Sequence, residues 1–486
     1  MNQNKDNLVK DAIDPFKSDA PLIIYIDLKS PYAYLSIEPT RHMLKDLGIV
    51  ADWRPFVLDI PSYLGSAKLG KGGKKVAKQN RTEEQWSDVK YAYFDCRRYA
   101  NLGDKTIRGT VKIWNTDLPA IGMLWLKRFS SLSEQCAEGS FLERFVDEIY
   151  DSFWKRELDA EDASVILAVL EQIGAPTEGF LKYAQTDGAA LNNHLQESSF
   201  NAGIYGVPTY ILPNESLTDP QHEKFFGREN LPRIGWLLTG RKGQAPDLAY
   251  TLNSDVDEEV LSKSAAEPGL AQELKMSPKQ LIAYFDFNSL HSYLALDSIL
   301  SLKAEGISIN WRPVSSMSLK VPQEETKDED RSAKHRRLRA EYQVNDIQRY
   351  ALHDLTEIHR KTECQVANMG FLWLQQELKM DNKVIDEYVQ SVFYHHWRDN
   401  GSIVTIQDIE HILLKIKKIN SFDQELKWQD AWKQYCQSTG LEHLEIAQTE
   451  AKTKGINTVP TFLIGSEPFR GRAHLPLILA RFKAGI

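Results

Sequence analysis

The stretch PLIIYIDLKSPYAYL at residues 21–35 decides the fold. Its continuous apolar run, LIIYI, is typical of a buried strand, and the short polar turn after it leads into a helical pattern. The same order of residues returns in LIAYFDFNSLHSYL at 281–294, with the strand, the Asp, the Ser and the Tyr-Leu pair. Ser30 and Ser289 therefore occupy equivalent places, each where a strand passes into a helix.

Further pairs of motifs repeat in the same order along the two halves of the chain. The pairs are WRP at 53–55 and 311–313, RYA at 98–100 and 349–351, GMLWL at 122–126 and GFLWL at 370–374, VPTYIL at 207–212 and VPTFLI at 459–464, and FFGRENLP at 225–232 and FRGRAHLP at 469–476. The members of each pair lie roughly half a chain apart, so the repeating unit has the size of a domain, unlike the short unit of a solenoid. Because chance similarity would not preserve the order, we predict two homologous halves.

The motifs predict one order of secondary-structure elements in each half. A strand, a helix and a second strand come first, a long region with apolar spacing near 3.6 residues follows, and two strands and a helix complete the half. The first crossover implies parallel strands, and the last pair of strands implies a hairpin. The sequence therefore predicts an α/β fold of two tandem domains, each with an all-helical insertion.

Composition sets the domain boundaries. The segment between the two sets of motifs is polar and carries Pro and Gly, which indicates an exposed and partly helical connector. We predict a polar tail at 1–20, a first domain at 21–240, a linker at 241–278 and a second domain at 279–486. The charged stretches at 71–75 and 323–339 are predicted to be solvated surface.

Bulk properties exclude several classes of protein. With 486 residues, 42% apolar residues and a net charge of −8, the sequence lacks the basic surface that nucleic acids attract. The polar start has no apolar signal region, and no apolar run approaches the ~18 residues of a membrane helix. Cys96, Cys136, Cys364 and Cys436 are far apart, with no CxxC and no His pairing, so we expect no metal site and a cytoplasmic location.

Several motifs together carry a resemblance to a known family. They are SPYAYL at 30–35, WRPF at 53–56, DCRRYA at 95–100, GVPT at 206–209 and FFGRENL at 225–231. The ordered set resembles the 2-hydroxychromene-2-carboxylate isomerases and kappa-class glutathione transferases, a glutathione-using branch of DsbA-like proteins. The resemblance covers nearly the whole of both halves and implies two tandem thioredoxin-like domains, each with the DsbA-like helical insertion.

The turn after the first strand carries CxxC in redox members of this fold, but here it reads SPYA at 30–33 and SLHS at 289–292. Neither copy has a thiol, so dithiol–disulfide exchange is excluded. Ser30 and Ser289 are the candidate catalytic residues, because a helix N-terminus stabilises a thiolate and a hydroxyl donates one more hydrogen bond to it. The resemblance implies that this thiolate belongs to bound glutathione. A plain helix N-cap is the alternative role of each serine.

The Val-Pro-Thr loops are the second candidate element. In thioredoxin-like folds the Pro of this loop is cis, and the backbone before it pairs with an extended peptide as an added strand would. Glutathione is such a peptide. We therefore expect Val207 and Pro208 in the first half, and Val459 and Pro460 in the second, to bind its cysteinyl unit. A structural turn before a strand is the alternative.

The stretch at 227–230 resembles the family's Gly-x-Asp-Arg, in which the acid faces the γ-glutamyl ammonium of glutathione. Glu229 would take that role through a longer side chain, and Asn230 stands where the family has Arg. Both are therefore candidate cofactor-binding residues. Ala473 occupies the place of Glu229 in the second half and cannot pair with an ammonium group.

Tyr32 and Asn115 are the candidate substrate-binding residues. Tyr32 would line an aromatic slot, with core packing as an equal alternative. Asn115 and Thr116 resemble the family's Asn-Ser/Thr at the start of an insertion helix, and the sequence aligns Lys361–Thr362 with them in the second half. Asp95 and Arg98 lie three residues apart, a spacing that predicts an ion pair within a helix.

One main functional hypothesis and two alternatives follow. The resemblance implies a glutathione-dependent isomerase, in which the thiolate adds reversibly to an intermediate of aromatic degradation. A kappa-like transferase would instead join glutathione to an electrophile, and a binding protein would have no activity. We expect the first half to be the active copy. The second half would replace the second subunit of a homodimer, so that the two halves form an intramolecular pseudo-dimer; the whole chain could also form a homodimer. The expected ligands are glutathione and a small-molecule substrate.

Overall fold

The computed structural model describes residues 14–70, 76–213, 223–252, 257–264, 280–316, 319–355, 357–360, 362–416 and 428–485. They form two compact units. The first comprises the described residues of 1–268 together with 325–338, and the second those of 269–324 and 339–486. The described helices include none long and apolar enough to cross a membrane.

The first unit is built on a mixed four-stranded sheet. Strand β1 runs parallel to β2 and antiparallel to β5, and β5 pairs with β6 in a hairpin, which gives the order β2-β1-β5-β6. The central strands β1 and β5 are buried along their whole length. The strands are β1 (Ile23–Ile26), β2 (Asp52–Pro55), β5 (Thr209–Leu212) and β6 (Glu223–Phe226), with a separate hairpin of β3 (Ala67–Leu69) and β4 (Val76–Gln79).

Helix α1 (Pro31–Leu47) connects β1 to β2. It begins at Ser30, whose hydroxyl accepts the N–H of Ala33, and ends at Gly48, whose φ of 64° suits a residue without Cβ. The other described helices of this unit are α2 (Ile60–Leu64), α3 (Glu83–Leu102), α4 (Asp117–Lys127), α5 (Leu132–Gln135), α6 (Phe141–Lys155), α7 (Ala163–Gln172), α8 (Phe180–Gln185), α9 (Asp187–Asn201), α10 (Leu231–Leu238) and α11 (Glu258–Lys263).

The second unit contains a sheet with the same strand directions. Strand β7 runs parallel to β8 and antiparallel to β9, and β9 pairs with β10 in a hairpin, which gives the order β10-β9-β7-β8. The strands are β7 (Gln280–Phe285), β8 (Ser308–Pro313), β9 (Thr461–Ile464) and β10 (Glu467–Arg470). The described helices are α12 (Leu290–Ala304), α13 (Arg331–Tyr350), α14 (Gln365–Leu372), α15 (Asn382–Phe393), α16 (Ile406–Leu413), α17 (Trp428–Gln437), α18 (Gly440–Thr453) and α19 (Leu475–Ala484). The first part of α13, through Leu338, is grouped with the first unit.

The predicted order of strands and helices is confirmed in each unit, because both sheets have the βαβ and ββα parts and helices lie between them in sequence. The connector is partly helical, as α11 shows, but the prediction that it is exposed is wrong in part, because 245–250 are half-buried and Leu261 and Ser264 are buried. The prediction of a solvated surface for 323–339 is wrong over its second part. There His335, Arg337 and Leu338 are buried against the first unit's own residues. The stretch 71–75 lies outside the described residues.

Candidate functional site

In the first unit the structure brings together Ser30, Val207 and Pro208. The hydroxyl of Ser30 donates to the carbonyl of Val207 at 3.4 Å while its oxygen accepts the Ala33 N–H at 3.2 Å. The Val207–Pro208 peptide bond is cis. Ser30 is 5% exposed and Val207 4% exposed. The two elements predicted to bind a thiol peptide therefore face each other, and in this state each satisfies the other's polar group.

A buried network around Asp27 fixes the turn that presents Ser30. Thr116 Oγ1 donates to Asp27 Oδ1 at 2.6 Å, and the N–H of Leu58 donates to Oδ2 at 2.7 Å. The Lys29 ammonium lies 3.7 Å from Oδ2, and the Ser30 N–H donates to the Asp27 carbonyl at 3.0 Å. The sequence analysis did not identify this network. The repeated Asp before each serine is the signal that could have revealed it.

Tyr32 is tied to a buried ion pair. Its hydroxyl donates to Asp95 Oδ2 at 3.3 Å, and Asp95 pairs with Arg98 at 2.6 Å. The predicted helix ion pair is thereby confirmed. Burial first and the Asp95 charge second raise the pKa of Tyr32 well above its usual range, so the phenol stays protonated. In this state the Tyr32 hydroxyl serves helix packing.

The turn after β6 holds the other predicted cofactor residues. Gly227 has a φ of 98°, which favours glycine, and the carboxylate of Glu229 folds back over it so that a Cβ there would collide with the carboxylate. Asn230 is buried, and its amide donates to the carbonyls of Phe226 at 2.9 Å and Gly227 at 3.1 Å. Glu229 is half-buried beside the turn, whereas Asn230 uses its amide donors to close it.

Arg228, which the sequence analysis left without a role, lies between two aromatic rings. Its guanidinium carbon is 4.4 Å from the centroids of both Tyr99 and Tyr250. Its Nε is buried and has no hydrogen-bond partner among the described residues. The arrangement places a buried cation two residues before Asn230, and Arg472 stands at the same place in the second unit.

Asn115 lies at the surface and is not brought into the Ser30 turn. Its side-chain oxygen accepts the N–H of Asp117 at 2.8 Å, and its own N–H donates to Glu161 at 2.9 Å. The residue is exposed, while the neighbouring Thr116 is buried on Asp27. The predicted substrate-binding position therefore serves to start helix α4, and its neighbour is the residue that contacts the site.

The second unit presents Ser289 in the same way but more openly. Its hydroxyl accepts the N–H of Ser292 at 3.3 Å, and the Val459–Pro460 bond is cis. The N–H of Gly471 donates to the Pro460 carbonyl at 2.9 Å. Ser289 and Val459 are both half-buried.

The network around Asp286 corrects the sequence alignment of the insertion helix. Cys364 Sγ donates to Asp286 Oδ1 at 3.1 Å, and Ser316 donates to Oδ2 at 2.7 Å through both its N–H and its hydroxyl. Cys364 thus takes the place of Thr116, so the alignment of Thr362 with that position is wrong, while Lys361 lies outside the described residues. Matching the GFLWL and GMLWL motifs without a gap would have identified Cys364.

The second unit differs beside its serine. His291 stands where the first unit has Tyr32, and burial followed by the charge of Arg472 lowers its pKa to about 4, so the imidazole is neutral at neutral pH. Asp346 pairs with Arg349 at 2.8 Å, as Asp95 does with Arg98. Ala473 leaves this turn without an acid.

Comparison with known proteins identifies the fold of the carboxyl-terminal half. Residues 280–483 match the family model of the DsbA-like thioredoxin domain. Among solved structures, a 2-hydroxychromene-2-carboxylate isomerase is similar at 18% identity and a TM-score of 0.31, over 42% of this chain and 94% of that chain. A probable DsbA oxidoreductase from Streptomyces coelicolor is similar at 15% identity and a TM-score of 0.32, over 48% and 97%. The curated proteins include no match.

The match to the DsbA-like thioredoxin domain agrees with the fold expected for the second half. The cis-proline loop and the serine of that domain lie within the matched residues. The first unit has the same strand order and directions, a cis-proline loop and a serine at the start of its first helix.

Proposed function

We propose that the chain is a glutathione-dependent isomerase built from two tandem thioredoxin-like domains. The thiolate of bound glutathione adds to a conjugated intermediate of aromatic degradation, a bond of the adduct rotates, and the thiolate leaves with the double bond restored. The cofactor is regenerated and no net oxidation occurs. The observation that carries this proposal is a serine, in place of CxxC, at the start of the first helix of each unit and beside a cis-proline loop.

The protein's own cysteines are poorly suited to supply that thiolate. Burial raises the pKa of all four thiols above the usual range, and a thiol is a weak nucleophile until it ionises. Cys364, which contacts the network around Asp286 before Ser289, already donates to that carboxylate. A bound thiol is therefore the chemically simpler source of sulfur.

Ser30 and Ser289 would stabilise the glutathione thiolate rather than attack the substrate. The partial positive charge at the starts of α1 and α12 favours an anion, and the hydroxyl adds one hydrogen bond. The backbone of Val207 or Val459 would pair with the cysteinyl unit beside the proline. In the first unit, the Ser30 proton that now bonds to the Val207 carbonyl would turn to the sulfur, and the carbonyl would accept the cysteinyl N–H.

The γ-glutamyl end would meet different residues in the two units. Glu229 would face its ammonium in the first unit, next to the turn held by Asn230. The second unit has Ala473 there and would bind this end without an acid. Exposure nevertheless favours the second unit as the site that glutathione reaches first, because Ser289 and Val459 are half-buried while Ser30 and Val207 are covered.

Titration calorimetry with glutathione, compared with S-methylglutathione, tests the proposal. The affinity for glutathione should exceed that for the methylated form by a growing factor as pH rises, because only the free thiol can ionise to a thiolate that accepts the serine hydroxyl. A product assay then separates the two enzymatic candidates. Full recovery of glutathione supports the isomerase, and a stable conjugate supports a kappa-like transferase. Absence of binding would contradict both and leave a non-catalytic binding protein.

A further inference from the structure

The first part of helix α13 packs on the first unit through one face. Arg331, Lys334, His335 and Leu338 follow the spacing i, i+3, i+4, i+7, which places their side chains on one side of a helix. Asp330 starts this helix by accepting the N–H of Ala333 at 2.7 Å. We name these four residues the cap face. The question is which part of the first unit they cover.

Two aromatic side chains of the first unit hold His335. Its ring stacks on Tyr63 with 4.0 Å between centroids and planes 4° apart. It also meets the Tyr205 ring edge-on at 5.5 Å. Tyr205 lies two residues before Val207, and Leu338 approaches within 3.5 Å of the Cβ position of Gly203. The apolar part of the cap face therefore lies directly on the loop that leads to the cis-proline.

The charged part of the cap face contacts the start of α2 and the end of α9, the helix that precedes the loop. Arg331 Nε lies 3.0 Å from the Asp59 carboxylate, and its guanidinium carbon is 4.1 Å from the Phe200 ring centroid. Lys334 donates to Asn201 Oδ1 at 2.8 Å. Arg337, which lies outside the cap face, pairs with Glu329 at 2.8 Å and so ties the helix to the residues just before it. One ion pair, one hydrogen bond and one cation–ring contact thus add to the packing of His335 and Leu338.

The equivalent loop of the second unit lies open. Gly203 to Val207 are buried, whereas Gly455, Asn457 and Thr458 are exposed. Asn457 also replaces Tyr205, so the second loop lacks the ring on which His335 packs. Burial of the first loop therefore accompanies the cap face and its aromatic partners.

We propose that the cap face is a closing element that holds the Val207 loop against Ser30 and keeps ligands from the first unit until it detaches. The two groups that would bind a thiol peptide bond each other beneath it, with the Ser30 hydroxyl on the Val207 carbonyl. That this closure would regulate catalysis rests on the proposed function. That the cap face limits access to the Val207 loop does not depend on it.

Hydrogen–deuterium exchange of the full chain tests the closure without any ligand. In an Arg331→Ala/His335→Ala variant, the amides of residues 203–207 should exchange about tenfold faster, since a ring contact and an ion pair are lost. Arg339→Ala is the matched control, because Arg339 is an exposed arginine of the same helix and lies outside the cap face. Unchanged exchange in the double variant would overturn the proposal.

A second variant guards against a fold that fails. Asp59→Asn removes the partner of Arg331 from the opposite side and should accelerate exchange of the same amides by a smaller factor. Glutathione titration of the double variant then separates the two ideas. Faster exchange with new binding at the first unit supports both, whereas faster exchange without new binding keeps the closure and contradicts the proposed role of Ser30. If neither variant changes exchange, the cap face is ordinary packing.

Discussion

Ser30 and Ser289 start equivalent helices with nearly equal backbone angles, φ −94° and ψ 113° against φ −100° and ψ 114°. The loops that face them differ much more. The loop before Val207 is buried under the cap face, and the loop before Val459 is largely exposed. The backbone that presents each serine is nearly the same in the two units, whereas the cap face, more than a hundred residues beyond Val207 in sequence, covers the loop of the first unit.

This difference separates two properties of a site, the residues available to contact a ligand and the exposure of the site to solvent. The first half keeps SPY and an acid at Glu229, which led to the hypothesis that it is the active copy. The second half has lost that acid but offers its serine and its loop to solvent. The proposed contacts to glutathione favour the first unit, and the exposure of the serine and its loop favours the second. Experiments that act on one property at a time can decide which of them governs the protein.

Removal of each serine hydroxyl should give the largest effect. Ser289→Ala is expected to lower glutathione-dependent kcat roughly 10- to 100-fold, because a hydrogen bond to a charged group contributes about 1.5–3 kcal/mol. Ser30→Ala should change it much less while the cap face is closed. Steady-state kinetics of both variants, with the pKa of the bound thiol followed by its ultraviolet absorbance, measure the difference.

Ser289→Thr is the control, since it retains the hydroxyl and should recover part of the rate. Equal losses in the two alanine variants would contradict the unequal access proposed here. A larger loss for Ser30→Ala would favour the original hypothesis of an active first half. It would also require that the cap face opens readily in solution.

The second difference between the units is an acid-sensitive cluster on strand β2. Asp52 accepts from Lys127 at 2.5 Å and from Arg54 at 2.8 Å. Burial alone would raise its pKa, but these two cations outweigh it and hold the pKa at about 2. Asn310 occupies the same register position on β8, where Ile282 pairs with it. The first unit alone therefore carries this acid-sensitive group.

The ionised Asp52 carboxylate stabilises the folded first unit, and the pH range of this stabilisation follows from its pKa. The folded pKa lies below the unfolded value of about 3.9, so the stabilisation is complete above that value and is lost as pH falls from about 4 to about 2. It amounts to about 2 kcal/mol. Asp52→Asn should lower the free energy of unfolding of the first unit by this amount at neutral pH and by little in strong acid. Urea unfolding followed by hydrogen exchange in each unit measures it, with the exposed Asp19→Asn as control.

Local signals in the sequence predicted the elements that present each site. The apolar run before Ser30, the polar turn and the Val-Pro-Thr loop are short patterns that repeat in both halves, so they identified the order of elements along the chain and both candidate serines. The same signals predicted the Asp95–Arg98 pair, because helix spacing alone brings the two side chains together. The order of strands and helices and this ion pair follow from such local rules.

The cap face could not be recognised in this way. Two of its four members are charged, and they lie in or beside SAKHRRLR at 332–339, a kind of charged run that is usually a solvated surface. Their partners Asp59, Tyr63 and Phe200 lie far away in sequence, and no periodic apolar pattern connects them to the helix. Only the three-dimensional contacts reveal that His335 and Leu338 of this face are buried.

The smallest expected effect concerns the donor that each unit places on its buried Asp. Thr116 offers a hydroxyl at 2.6 Å from Asp27, and Cys364 offers a thiol at 3.1 Å from Asp286. Because a thiol is the weaker donor, Thr116→Cys should lower the free energy of unfolding of the first unit by about 1 kcal/mol. Cys364→Ser should hold or slightly raise that of the second unit. Urea unfolding of the two variants would contradict this ranking if Cys364→Ser were the more destabilising, since the network around Asp286 would then depend on the size of sulfur rather than on hydrogen-bond strength.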